Sequence, residues 1–160
     1  MKVPLRHSPI SVANKFLELA AAAGETLTPL QLIKLVYLSH GFMLGLYRRP
    51  LVSEDVQAYT YGPVFPTLYR AVKEFRSSPV AGPLAVQDGS GATKDRFGEL
   101  EDDVIRQVYQ KYGRRNGIQL SRLTHQPDSP WSQVWDEGRG HGQTISNDLL
   151  EDYFSALTAH

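Results

Sequence analysis

A chain of 160 residues without a cysteine is long enough to be held together by one hydrophobic core, and it excludes disulfides and thiolate metal sites. Its 17 basic and 17 acidic side chains cancel, which argues against nucleic-acid binding driven by excess positive charge. No apolar run reaches the ~20 residues of a membrane span, and Met1 to His7 lack the apolar stretch of a secretory signal, so a cytoplasmic protein is expected.

A first helix is predicted from Ser8-Pro9 or Ser11 to Ala23. Ser8 would cap it, with Pro9 at the first helical position, where a missing N–H costs nothing. Val12, Phe16, Leu19 and Ala23 recur at helical spacing, and Gly24 ends the run. The second helix carries the strongest pattern. Thr28-Pro29-Leu30-Gln31 reads as a capping box with proline in the first turn. From Leu30 to Leu46 apolar residues cover nearly every side, as in a helix buried at the centre of a domain. Gln31, Lys34, Ser39 and His40 interrupt it too often for a membrane span, so it is expected to be the hub of the core. Arg48-Arg49-Pro50 stops it.

Val56 to Tyr61 reads as a short extended stretch closed by a Gly62-Pro63 turn. A third helix is expected from Val64 or Pro66 to Arg76, with Leu68, Val72 and Phe75 on one face. Residues 79–98 are rich in Gly, Ala, Pro, Ser and Asp, which predicts a flexible loop touching a short strand at Leu84-Ala85-Val86. A fourth helix over 99–112 places Val104, Val108 and Tyr112 on one stripe. Glu99, Glu101, Asp102 and Asp103 crowd its start and Lys111, Arg114 and Arg115 its end, an order that complements the helix dipole. Two short helices follow, over 119–125 and 130–135, the second capped by Ser129. After a Gly-rich loop from Asp136 to Gly142 comes a last helix over 147–157, capped by Ser146, with Leu149, Leu150, Tyr153, Phe154 and Leu157 inward. The expected fold is mainly α: a compact single-domain bundle of about six helices around a buried central helix, with a minor short β element. Residues 1–160 would form one domain, with no internal repeat.

Few residues in this pattern invite catalysis. His40 falls on the apolar side of the second helix, where Tyr37 and nearby backbone are the expected partners of a structural imidazole. His125, Asp128, Asp136 and His141 match no metal-ligand spacing, so no metal and no other cofactor is expected. Ser121, Ser129 and Ser146 sit where helices begin or turn, as capping residues do. Gly138-Arg139-Gly140-His141-Gly142 is glycine-dense but follows no clear strand, which makes a weak nucleotide loop. The Lys111, Arg114 and Arg115 cluster reads as a solvated helix end rather than a phosphate site. Aromatic residues stand out more. Tyr59, Tyr61 and Tyr69 bracket Gly62-Pro63, and Trp131 and Trp135 lie in the short helix after Pro127. Tyr and Trp are enriched at the energetic centres of protein interfaces, so Tyr59, Tyr61 and Trp131 are candidate exposed anchors, with Trp135 and Tyr69 expected to pack the domain.

Four stretches, taken together, resemble one family: Leu32-Ile33-Lys34-Leu35-Val36-Tyr37-Leu38-Ser39-His40-Gly41; Arg49-Pro50-Leu51; Ala58-Tyr59-Thr60-Tyr61-Gly62-Pro63-Val64-Phe65-Pro66-Thr67-Leu68-Tyr69; and Leu120-Ser121-Arg122-Leu123-Thr124-His125-Gln126-Pro127-Asp128-Ser129-Pro130-Trp131. Their order and spacing are similar to the SocA-like antitoxins, the Panacea domain found in many phage-associated proteins. The resemblance runs from the first helix to the last.

It implies a mainly helical antitoxin of a toxin-antitoxin system, not an enzyme, that neutralises a cognate protein toxin by direct contact. It also admits a ClpXP-type protease as a second partner, to which the toxin would be delivered. Carried onto this chain, the turn motif falls on Tyr61, Gly62 and Pro63 and the late motif on Thr124, His125, Asp128, Pro130 and Trp131. With Tyr59, these supply the partner-binding candidates Tyr59, Tyr61, Pro63, His125, Asp128 and Trp131. The loop at 79–98 departs from the family pattern. Two alternatives stay open: a small hydrolase-like enzyme using His125 and Asp128 with His40, and a DNA-binding autoregulator. Against the first stands the lack of an activated nucleophile, and against the second the zero net charge and the absence of a helix-turn-helix.

Overall fold

The computed structural model describes residues 7–85 and 96–159. Helix α1 spans Pro9–Ala22, with the Ser8 hydroxyl accepting from the Ile10 amide at 3.2 Å. Val12, Phe16 and Ala20 are buried, whereas Ala23 is exposed beyond the helix end. Gly24 follows at φ 71°, a conformation that suits glycine past a helix C-terminus.

Helix α2, Pro29–Tyr47, is the hub that its sequence predicts. The Thr28 amide donates to Gln31 Oε1 at 2.8 Å and the Gln31 amide to Thr28 Oγ1 at 3.4 Å, closing the capping box. Arg48 ends the helix in the left-handed region, φ 60°, its N–H still bonded to the Leu44 carbonyl. Every residue from Leu32 to Gly41 is buried. The interruptions in its pattern have separate explanations. Gly41 and Gly45 let α7, Asn147–Thr158, lie directly against it: a Cβ on Gly41 would sit 2.2 Å from the Phe154 ring, and one on Gly45 would sit 2.7 Å from the Phe154 backbone. His40 accepts from the Val52 amide at Nδ1 (3.2 Å), so its Nε2–H donates to Asn147 Oδ1 (3.0 Å). These partners replace the Tyr37 hydroxyl expected from the sequence. The imidazole ties the hub to the start of α7 and to the segment after Pro50.

Strands β1, Val56–Tyr59, and β2, Gly62–Val64, form a hairpin, and β3, Thr144–Ile145, adds antiparallel to β1 on its other side. The turn lies at Thr60-Tyr61, two residues earlier than the expected Gly62-Pro63. Gly62 already pairs with Tyr59, and Pro63 with Ala58. Proline is tolerated because β2 is an edge strand, where its missing N–H breaks no ladder.

Helix α3, Pro66–Val72, runs into a 3-10 turn at Lys73–Phe75. Helices α4 (Glu99–Tyr112), α5 (Gly117–Thr124) and α6 (Pro130–Trp135) follow, the last capped by Ser129, whose hydroxyl accepts from the Ser132 amide at 3.2 Å. Among the described residues, seven α-helices, one more than the six or so expected, and a small sheet make the mainly helical single domain. Leu157 is a correction: it is 49% exposed, because Leu150 and Phe154 take the contact with α2. The described residues 80–85 are anchored to the body of the domain. Val80 is buried with its amide on the Leu27 carbonyl, and the Asn14 side chain exchanges two hydrogen bonds of 2.7 Å with the Leu84 backbone. Leu84 and Ala85 form no strand, and the rest of the predicted loop, 86–95, lies outside the described residues. Glu101, read from sequence as a dipole-complementing acid, is buried instead. Both its carboxylate oxygens lie 3.1 Å from His7 Nε2, and Oε1 also accepts from the Gly98 amide.

Candidate partner-binding site

The hairpin motif and the late motif, some 60 residues apart in sequence, meet in space. The Trp131 indole N–H donates to the Tyr59 carbonyl at 2.7 Å. Trp131 and Trp135 sit four apart on α6 and so share one face. Their rings stack at 5.2 Å and 17°, and the His125 imidazole stacks on the other side of Trp131 at 4.0 Å and 21°. His141 stacks on Tyr59 at 5.5 Å and meets the Trp135 edge at 5.7 Å, while Tyr69 meets Tyr59 edge-on at 5.3 Å. The result is a continuous aromatic wall behind the hairpin.

His141 reaches that wall because the chain folds back hard after α6. A Cβ on Gly140 would sit 1.7 Å from the Val134 carbonyl oxygen, so only glycine fits there. Beyond it the Gly142 amide donates to the Ala58 carbonyl at 2.7 Å, and the Ala58 amide to the Gln143 carbonyl at 3.0 Å. The glycine-dense segment is therefore a backbone device.

Beneath the hairpin lies a polar cluster. Lys34 is fully buried, and its ammonium donates to the Pro63 carbonyl at 3.0 Å. Burial pulls its pKa down to about 7. Gly62, at φ 114°, passes directly over this group. A Cβ there would lie 2.7 Å from Lys34 Nζ and 3.1 Å from both His125 Nε2 and Thr124 Oγ1. His125 Nε2 is buried and, among the described residues, has no hydrogen-bond partner. Burial first, and then the Lys34 charge, lower the His125 pKa, with the Tyr61 carbonyl acting in the opposite direction. Burial thus favours the neutral ring.

The candidates separate by exposure. Tyr61, at the tip, is 70% exposed. Asp128 is exposed at φ 67°, and its carbonyl accepts from Gln133 Nε2 at 2.9 Å. Tyr59 and His125 are half-buried, and Pro63 is buried. Trp131 is a correction: expected as an exposed anchor, it is only 9% exposed, because its indole is used inside the protein to hold the hairpin. Tyr69, expected to pack, keeps 38% of its surface exposed. Sequence reading missed the roles of Lys34 and His141. Lys34 left one signal, a lysine within a helix apolar on all sides.

Among the described residues, the Asp128 carboxylate has no hydrogen-bond or ion-pair partner, while His40 is committed to Asn147 and Val52, so the three groups of the hydrolase alternative are not assembled. The nearby hydroxyls are occupied, Thr124 donating to the Ser121 carbonyl and Ser129 to the Thr124 carbonyl. Among the described residues, no group of three or more His, Asp or Glu side chains could hold a metal ion. In the basic cluster, Arg114 pairs with Glu25 at 2.9 Å. No described helix is long and apolar enough to cross a membrane.

Comparison with known proteins agrees with the motifs. The chain is 29% identical over 164 aligned positions to Antitoxin SocA of Caulobacter vibrioides (strain NA1000 / CB15N), covering 94% of this chain and 87% of that protein. No solved structure matches. The family model described as Antitoxin SocA-like, Panacea domain, matches residues 32–132, from within α2 to within α6, and so spans Lys34, the hairpin and the His125–Trp131 stretch. The chain belongs to the antitoxin SocA-like, Panacea domain family.

Proposed function

We propose that this protein is an antitoxin that neutralises a cognate protein toxin in the cytoplasm by direct contact, with the hairpin tip as the centre of the contact. The observation that carries this reading is Tyr61: a large aromatic side chain, 70% exposed, on a turn whose neighbours are immobilised. Lys34 holds Pro63 from below and Trp131 holds Tyr59 from behind. An anchor displayed on a rigid support loses little conformational freedom on association, which is where affinity is gained.

The six partner-binding candidates then divide by role. Tyr61 and Asp128 reach the toxin, the exposed part of Tyr59 extends that surface, and Pro63, His125 and Trp131 hold it in place. No catalytic group is required. The same grip would serve for delivery, with the bound toxin passed to a ClpXP-type protease.

Co-expression with the product of the adjacent reading frame tests the reading. That product alone should arrest growth, and this protein should restore it. Tyr61→Ala should fail to restore growth at equal protein level, and full rescue by Tyr61→Ala would refute the tip as the contact. Toxin half-life with and without the protease tests delivery separately: an unchanged half-life removes the adaptor role and leaves neutralisation standing.

A further inference from the structure

Among the described residues, the exposed large apolar side chains fall into more than one group. Tyr61 and Tyr69 belong to the hairpin. Leu46 and Leu157, 46% and 49% exposed, lie instead at the C-terminal ends of α2 and α7. They line a groove of about 320 Å³ together with Phe42, Val108 and Tyr112, walled by α4 on one side and α7 on the other. A narrower hollow of about 30 Å³ shares Phe42, Tyr112 and Leu157 and carries the apolar strip on to Tyr153 and Leu123. No residue lining either hollow is among the hairpin candidates.

Positive charge gathers at the Tyr112 end of the groove, while Asp103, bonded to the groove-lining Gln107 at 2.7 Å, lies one turn before it on α4. Lys111 lines it, with its ammonium 5.4 Å from the centre of the Tyr112 ring, and the Arg115 guanidinium lies 5.0 Å from that same ring. Other basic side chains near by are neutralised: Arg106 by Asp102, Arg114 by Glu25, Arg48 by Glu151. Among the described residues, neither Lys111 nor Arg115 has a carboxylate partner. Their positions, which complement the α4 dipole, therefore leave free positive charge at the Tyr112 end of an elongated apolar groove.

We infer that this groove is a docking site for an amphipathic helix of a partner protein that carries a leucine-type stripe flanked by a carboxylate. An apolar strip running between two helices fits side chains spaced at i, i+3, i+4 and i+7 on a third. The unpaired cations select an acidic residue beside that stripe. A second copy of this chain fits less well, because it would bring two sets of unpaired cations into one contact. This site does not depend on the Tyr61 tip being the toxin contact.

Two fluorescent helical peptides with the same leucine stripe, one flanked by glutamate and the other by lysine, test it by anisotropy against the full chain. The glutamate peptide should bind about tenfold or more tightly than the lysine peptide. Leu157→Glu and Leu46→Glu should each weaken it about tenfold or more, without lowering the melting temperature, since both side chains are half exposed. Lys111→Glu should reverse the preference between the peptides, and Tyr61→Ala should leave it unchanged. Failure of both peptides to bind, or equal binding to Leu157→Glu, would overturn the inference. So would a concentration-dependent dimer that Leu157→Glu abolishes, since it would assign the groove to a second copy.

Discussion

The seam between α2 and α7 and the hairpin over Lys34 are both built on glycines, and they are held in opposite ways. At the seam, Gly41 and Gly45 remove side chains so that the Phe154 ring and backbone fit against α2. At the hairpin, Gly62 removes a side chain so that backbone can pass over an ammonium, an imidazole and a hydroxyl. The first contact depends chiefly on volume. The second depends on polar groups that had to be desolvated, so it trades stability for a fixed shape.

Substitutions that alter volume should separate the two regions most. Phe154→Ala should cost about 3–5 kcal/mol in denaturant unfolding, and Leu35→Ala, within α2, about 2–5 kcal/mol. A loss under about half a kcal/mol for Leu35→Ala would reject α2 as the hub. Gly45→Ala should cost roughly 1–3 kcal/mol, because the atoms it meets are backbone and cannot swing away. Gly62→Ala should cost a similar amount, about 1–3 kcal/mol, from its positive φ and the crowded polar atoms, and should weaken partner binding as well. Gly45→Ala should leave binding by the folded fraction unchanged, and equal binding defects in the two variants would erase the distinction between the regions.

The hairpin should also carry a pH signature from Lys34. The Lys34 pKa falls from its ordinary 10.5 to about 7 on folding, so between these values the unfolded chain holds a proton that the folded chain does not. Stability from this group therefore rises as pH increases from about 7 towards 10 and is lost as pH falls back to 7. Tyr109, pushed up to about 12 by burial and its hydrogen bond to Glu25, opposes the trend above pH 10. Lys34→Met should flatten the rise in chemical denaturation curves measured from pH 7 to 9.5, whereas Leu35→Ala should lower the whole curve without changing its slope. An unaltered slope in Lys34→Met would mean that the lysine is not desolvated.

Local signals were legible and distant ones were not. The Thr28 capping box and the Ser129-Pro130 start of α6 depend on residues within one turn, the all-round apolar pattern of α2 on residues of one helix, and each appears where expected. One partner of His40 lies 107 residues away, one of Glu101 lies 94 away, and that of Lys34 lies 29 away. No periodicity encodes such pairings. Strand β3 has two residues and exists only because Gly140 and Gly142 fold the chain back onto β1. Trp131 shows the limit for the site. A tryptophan beside a proline turn has the same sequence whether its indole faces solvent or a carbonyl, and here the Tyr59 carbonyl takes it.

The smallest expected change in stability accompanies the largest expected change in function. Tyr61→Ala should shift unfolding by less than about 0.5 kcal/mol, as exposed substitutions usually do. Calorimetric titration of the purified toxin against the wild-type chain and Tyr61→Ala, with thermal melts of both, is the most direct measurement. A loss of roughly 2 kcal/mol in binding, about 30-fold in affinity, with superimposable melts is the predicted result. Equal affinity in the two proteins would contradict the account.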